Sequence, residues 1–357
     1  MFPMLRAEVE RSIASVAPAP CRRPRGLPPR RLVALGGGTG LPVVLRGLKK
    51  ALFPARTGGS TPPDLERLTA IVNVADDGGS SGRLRRAYGV LPPGDIRNCL
   101  VALADEGSPL SPVFDYRFEG NGGLGGHSLG NLILTALSRM EEDFSMAVER
   151  ARILLAARGR VFPATLQDVS LLARFADGSR VAGESRIPAV RREVERLSLV
   201  PSKVRAMPQA LEAVGRADRI VIGPGSLYTS LLPILLVEDL VRAVARSRAR
   251  VLLVMNLMTE PGETDGYSAS DVVLAVRRHA PRLPIHDVLI HDAPIPGRLA
   301  ARYAEQGAVP IQADPRHLRS LGCRPIACDL LRRGVKIRHD AVKLARAILG
   351  PPTGART

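Results

Sequence analysis

The feature that most constrains this chain is a rhythm. Short apolar runs stop abruptly in clusters of Gly, Ser, Asp or Asn, and a helical apolar period follows. Leu32–Leu35 runs into Gly36-Gly37-Gly38-Thr39-Gly40 and then into an amphipathic stretch, Leu41–Leu52. Leu68–Ala75 ends at Asp76-Asp77-Gly78-Gly79. After Arg219–Ile222 come Gly223-Pro224-Gly225-Ser226 and the helical pattern Leu227–Arg246. Val251–Asn256 precedes a long polar loop and a helix at Ala269–His279, and Ile285–Ile290 precedes one at Arg298–Glu305. Continuous apolar runs of this length suit strands covered on both faces, which means a parallel sheet with crossover helices.

The expected fold is therefore α/β and Rossmann-like: a mostly parallel sheet, helices on both faces, and an inserted β-hairpin and helical region. Helices are predicted at Asp95–Ala104, Ser128–Met140, Ser145–Ala157 and Asp340–Leu349. The hairpin is expected where Val169–Phe175 and Arg180–Glu184 flank Asp177-Gly178. Residues 31–350 read as a single domain. Residues 1–30, rich in Pro and Arg, read as a basic tail and 351–357 as a second tail.

Charge narrows the function. The formal net charge is +17, and arginine supplies 46 of the 51 basic residues. Nucleic acid is the first class such a balance suggests. Residues 1–31, however, carry seven arginines against Glu8 and Glu10, and residues 298–357 carry twelve basic residues against four acids. The excess thus sits at the two ends. Aromatics are 3% and Trp is absent, which leaves few platforms for stacked bases. The reading is no nucleic acid and an anionic small ligand. No apolar run reaches the length of a membrane span, and no secretory signal opens the chain, so the expected location is the cytoplasm. Cys21, Cys99, Cys323 and Cys328 show no paired spacing for zinc.

In open α/β sheets ligands bind beyond the carboxyl ends of the strands, and there the candidates cluster. Gly37, Gly38, Thr39 and Gly40 would let backbone N–H groups approach phosphate at a helix N-terminus. The loop fits neither the dinucleotide fingerprint, which needs Gly where Leu41 stands, nor the Walker pattern. Asp76 and Asp77 close a strand and would meet ribose or sugar hydroxyls or Mg²⁺. Ser80, Ser81 and Arg83 follow in what reads as a flexible, hydroxyl-rich loop suited to an anion. Asp95 reads equally well as an N-cap or a site residue, with Asn98 facing the cleft one turn on. Gly225 and Ser226 resemble a second phosphate cradle, with Asn256 and Thr264 closing the pocket. Gly126-His127-Ser128-Leu129-Gly130 matches a nucleophile elbow but lacks the strand before it. A Gly-rich loop feeding a helix, with His127, Ser128 and Asn131 at a ligand, is the better reading. His279, His317 and His339 read as surface residues, and His286 and His291 flank a strand without a metal partner.

Seven stretches in this order carry a resemblance: GGGTGLPVVLRGLK (36–49), IVNVADDGGSSGRLR (71–85), LPPGDIRNCLVALAD (91–105), GGHSLGNLIL (125–134), GESRIP (183–188), IGPGSLYTSLLP (222–233) and NLMTEPGETDGYSASD (256–271). The chain resembles the YvcK/CofD-like family, and within it the YvcK branch, the gluconeogenesis factors. The basic tail before Arg31 and the extended segment Phe53–Leu65 depart from the family pattern. The resemblance implies a Rossmann-like domain and a UDP-sugar ligand, with UDP-N-acetylglucosamine the implied one. It further implies a regulator of cell-envelope precursor supply and cell shape during gluconeogenic growth. A homo-oligomer is expected, and the enzyme that forms glucosamine phosphate is the implied partner. The CofD branch implies the alternative, a Mg²⁺-dependent 2-phospho-L-lactate transferase, in which Asp76 and Asp77 would be catalytic.

Overall fold

The computed structural model describes residues 30–54 and 63–350. The tails expected over 1–30 (Arg30 apart) and 351–357, and most of the segment following Phe53, lie outside the described residues. The strands are β1 (Leu32–Gly36), β2 (Leu68–Val72), β3 (Arg160–Pro163), β4 (Ser170–Phe175), β5 (Arg180–Ala182), β6 (Val194–Val200), β7 (Arg219–Ile222), β8 (Arg250–Val254), β9 (Asp287–His291) and β10 (Arg324–Cys328). Seven of them form one sheet in the order β10-β9-β8-β7-β1-β2-β3, and every pairing in it is parallel. The other three form an antiparallel sheet, β5-β4-β6.

The apolar runs are strands because both of their faces are covered. Val33, Leu35, Ile220, Ile222, Val251 and Leu253 look into one core, which also holds the small antiparallel sheet and the helix Ala269–His279. Their neighbours Leu32, Ala34, Val221, Leu252 and Val254 look into the other, against the helices Gly40–Leu52, Gly94–Leu103 and Ala341–Leu349. Alternate residues of one strand thus serve two cores, so no position can be polar without cost.

The chain order reverses at β1. From there it proceeds outward through β2 and β3, then returns to build β7 to β10 on the other side. The crevice at such a reversal, beyond the carboxyl ends of β1 and β7, is where ligands bind in sheets of this type.

Three expectations are corrected here. The stretch from Gly78 to Gly82, read as a flexible loop before Arg83, instead opens a helix, Gly79–Tyr88, with Ser80 and Ser81 buried in its first turn. It is held from outside: the Arg85 guanidinium donates to Val169 O and reaches Asp168 on the inserted sheet. The helix expected over Leu227–Arg246 is broken into a wide turn at Leu227–Leu231, a short helix at Leu232–Leu235 and a third at Glu238–Arg246. Pro233 has no N–H to continue the helical ladder through this region. His279 and His339 are not surface residues. The His279 ring accepts from Leu197 N–H, and burial pushes its pKa down to about 4. His339 reaches Met255 O, and burial likewise lowers it to about 4.

Candidate functional site

Two glycine loops meet at the reversal. Gly40, which opens the helix after β1, lies so close to the loop after β7 that a Cβ there would fall 2.2 Å from Pro224 O. A side chain at this point would push the loops apart, so glycine is required for packing as well as for ligand access.

The donors of these loops are already engaged. Gly38 N–H donates to the Asp95 carboxylate at 2.7 Å. Asp95 is therefore not the N-cap of its helix: Pro93 holds that position, and Asp95 lies in the first turn. Its side chain spans 57 positions of sequence to the first loop. Gly225 N–H donates to Asn256 Oδ1 at 3.1 Å, and the same amide returns Nδ2–H to Gly225 O at 3.0 Å. Asn256 also donates to Glu260. Tyr228 N–H and the Thr229 hydroxyl both donate to the buried Glu263 carboxylate, at 2.8 and 2.7 Å. Thr264 accepts from Glu260 N–H and so shapes the loop. Thr39 is exposed at the helix N-cap, and its hydroxyl makes no cap hydrogen bond. Ser226 caps the wide turn through its carbonyl, which accepts from Ser230 N–H and Leu231 N–H.

The acidic pair divides. Asp77 accepts from Glu184 N–H and Ser185 N–H, so it anchors the end of the inserted sheet. Asp76 accepts from Gly78 N–H and faces Ser81, which in turn accepts from Gly94 N–H. Among the described residues no group of three or more His, Cys, Asp or Glu is arranged to hold a metal ion.

By fastening to Asp77, the insert brings Glu184 into the cleft. Burial, and then the negative charges of Asp76, Asp77 and Asp95, push the Glu184 carboxyl up to about 8. Burial raises Asp95 to about 6 and lifts Asp76 above the ordinary carboxylate range. Burial also raises Glu263 to about 7, against the hydrogen bonds that favour its charge. Sequence reasoning missed Glu184 and Glu263 as site residues. Both lay inside quoted motifs, but nothing local marked which acid of each motif would turn inward.

The third wall comes from the loop before the helix Leu129–Met140. Asn131 Nδ2–H donates to Ser80 Oγ at 3.0 Å, and Ser80 Oγ contacts His127 Nδ1 at 2.8 Å. Burial, with Arg83 and Arg117 nearby, lowers the His127 pKa and keeps the ring neutral. Ser128 is fully buried and caps the helix by accepting from Asn131 N–H, which ends the nucleophile-elbow reading. Arg83 donates to Gly125 O and steadies the Gly-rich loop. Asn98 accepts from Arg97, whose guanidinium also holds Phe114 O and Asp115, so the pair braces neighbouring helices.

A parallel sheet reversed between two glycine loops, with polar side chains gathered at its strand ends, defines a Rossmann-like α/β protein. The chain matches the family described as "2-phospho-L-lactate transferase CofD" over residues 32–331, and it belongs to that family. It is 43% identical over 321 residues to the gluconeogenesis factor of Halalkalibacterium halodurans, covering 90% of this chain and 96% of the relative. To the gluconeogenesis factor of Bacillus subtilis it is 40% identical over 320 residues, covering 89% and 97%. A crystal structure of a Bacillus halodurans protein superposes with a TM-score of 0.83 at 43% identity, covering 90% of this chain and 99% of that one. These relatives place the chain with the gluconeogenesis factors of the family. Among the described residues no helix is long and apolar enough to cross a membrane.

Proposed function

We propose that this protein is a nucleotide-sugar-binding regulator of the UDP-N-acetylglucosamine type, acting in the cytoplasm on cell-envelope supply and cell shape during gluconeogenic growth. The ligand's phosphates lie along the two glycine loops, where Thr39 and the positive N-terminal end of the helix Gly40–Leu52 receive them. Its hydroxyls meet Asp76, Asp95 and Glu184.

One observation carries the reading: three carboxyls held above their ordinary range stand around the glycine loops at the sheet reversal. At about 6 and about 8, Asp95 and Glu184 keep part of their protons near neutrality. They can accept from one hydroxyl and donate to another, which suits a polyhydroxylated ligand. The relatives' name, gluconeogenesis factor, supports a role in sugar supply. The partner that fits is the enzyme forming glucosamine phosphate, and the working state is a homo-oligomer.

The test is thermal stability with UDP-N-acetylglucosamine, UDP-glucose, NAD, NADP and GTP, each with and without Mg²⁺. A ligand at a hundredfold excess over its Kd stabilises the native state by about 2.7 kcal/mol. A shift confined to UDP-sugars supports the proposal, and a shift confined to GTP sinks it.

A second reading rests on the Ser80–His127 contact beside Asp76 and on the family description. In it the protein transfers a phospholactyl group from a nucleotide-activated donor to an acceptor hydroxyl, releasing nucleoside monophosphate. Mg²⁺-dependent monophosphate release, abolished in Asp76→Asn, decides for this alternative. Ligand affinity without product decides for the regulator.

A further inference from the structure

The amino ends of the parallel strands form the pole opposite the glycine loops, and arginine dominates it. Arg31 precedes β1, Arg67 precedes β2, and β3, β7, β8 and β10 begin with Arg160, Arg219, Arg250 and Arg324. Such a pole draws anions through its summed field. Arg250 and Arg324 are engaged by Asp287, Arg67 by Leu52 O and Arg219 by Ile348 O.

A crevice opens at this pole between the helix Pro208–Arg216 and the first residues of β1, β2 and β3. On its floor Thr69 of β2 stands in register between Val33 of β1 and Arg160 of β3. Thr69 is 3% exposed, and its hydroxyl has no hydrogen-bond partner among the described residues. That oxygen is not one of the unpartnered atoms sealed from solvent, so it opens on the crevice that Thr69 lines. It is a donor waiting for an acceptor.

Three guanidiniums ring the mouth and converge on one carboxylate. Glu66 lies 3.2 Å from Arg31, 3.6 Å from Arg216 and 3.8 Å from Arg160. Close guanidinium–carboxylate hydrogen bonds run to roughly 2.7–2.9 Å, and two carboxylate oxygens cannot meet three forks at that distance. Arg216 also pairs with Glu212 at 2.6 Å, whereas Arg160 has no second partner among the described residues. The crevice thus holds three positive side chains against two negative ones.

We propose that this crevice recognises a phosphate group, as free phosphate or as the end of a phosphomonoester. Tetrahedral oxygens reach the Arg31, Arg160 and Arg216 forks together and accept from the Thr69 hydroxyl, while Glu66 gives way. The site does not rest on the nucleotide-sugar reading, because it lies at the other end of β1 and β2 from the cleft.

The experiment is titration calorimetry of the full chain at constant ionic strength, with inorganic phosphate and with glycerol 3-phosphate. It uses the wild type, Arg160→Ala, Thr69→Val and Glu66→Gln, with melting temperatures to establish that each is folded. Thr69→Val preserves shape and keeps the test alive if another variant does not fold. The site predicts about tenfold weaker binding to Arg160→Ala and about fivefold weaker binding to Thr69→Val. Glu66→Gln removes the internal competitor and should bind about fivefold tighter, which a merely structural ion-pair network would not produce. Preference for glycerol 3-phosphate assigns a monoester, and preference for phosphate assigns the free ion. Wild-type affinity in all three variants places the phosphate elsewhere, the glycine loops included, and overturns the site. A wild type that binds neither probe overturns it as well.

Discussion

The polar cleft between β1 and β7 and the apolar cavity beyond β8 and β9 lie side by side, and they are built in opposite ways. In the cleft the chain answers its own donors: Gly38 gives to Asp95, Gly225 to Asn256, and Tyr228 to Glu263. The cavity, lined by Asn256, Leu257, Ile290 and Ile311 among others, instead keeps space between walls that are largely aliphatic. The cleft holds its backbone with internal oxygens, so a ligand there would have to replace them, whereas the cavity owes its shape to side-chain packing.

The comparison breaks most severely at Gly40. Gly40→Ala drives a methyl into Pro224 O, at 2.2 Å. It should cost about 3 kcal/mol in urea denaturation. Gly79→Ala, whose Cβ meets nothing but whose φ is +44°, should cost about 1 kcal/mol. Equal costs would mean that the contact between the loops is not what demands glycine.

Glu263 comes next. Glu263→Ala leaves Tyr228 N–H and Thr229 without their acceptor, an expected loss of about 2 kcal/mol in thermal or urea unfolding. Glu263→Gln tests the sign of the charge. The folded pKa, about 7, lies above the ordinary value of 4.5. The native state therefore resists ionisation here, and this carboxyl's contribution to stability falls as pH rises from 4.5 to 7. Relative to wild type, Glu263→Gln should gain stability across that interval, and parallel pH profiles would refute the assignment.

Asn256 belongs to both regions. Asn256→Ala should cost about 1 kcal/mol of stability and lower UDP-N-acetylglucosamine affinity about tenfold by freeing the Gly225 loop. Full affinity would separate the cleft from the cavity.

The smallest expected effect is electrostatic. Asp95 ionises near pH 6 in the folded protein, beside the loop assigned to phosphate. Affinity for UDP-N-acetylglucosamine should drop several-fold as pH rises from 5 to 7, while Asp95→Asn flattens the profile. The same substitution should stabilise the unliganded protein at pH 8 relative to pH 4, because a raised carboxyl pKa penalises folding above the unfolded value.

Legibility in the sequence followed burial. The central strands β1, β2, β7, β8 and β9 stood out because each is apolar along nearly its whole length. The edge strands β3 and β10 were missed, since Arg160–Pro163 mixes exposed and buried positions, Arg324–Cys328 has no fully buried one, and each carries a proline. The helix Gly79–Tyr88 was hidden by its glycines and serines and is secured by contacts to a distant sheet. Most of the candidate residues lie near the strand ends, but their hydrogen-bond partners were not legible from local sequence. Asp77 was expected to face a ligand and instead holds Glu184 and Ser185 in place.

The sequence by itself determined the parallel α/β fold, the reversal between two glycine loops and the family, because two-sided burial and glycine-rich turns are written in local composition. Only the tertiary structure decided which carboxyl meets which donor, which acid is lifted by its neighbours, and that Leu330 N–H donates to His291. Those outcomes depend on distances between residues far apart in the chain: 57 positions from Gly38 to Asp95, 107 from Asp77 to Glu184 and 39 from His291 to Leu330. Hydrogen bonding and desolvation act over a few ångströms of space, and sequence spacing records neither until the sheet has closed the gap.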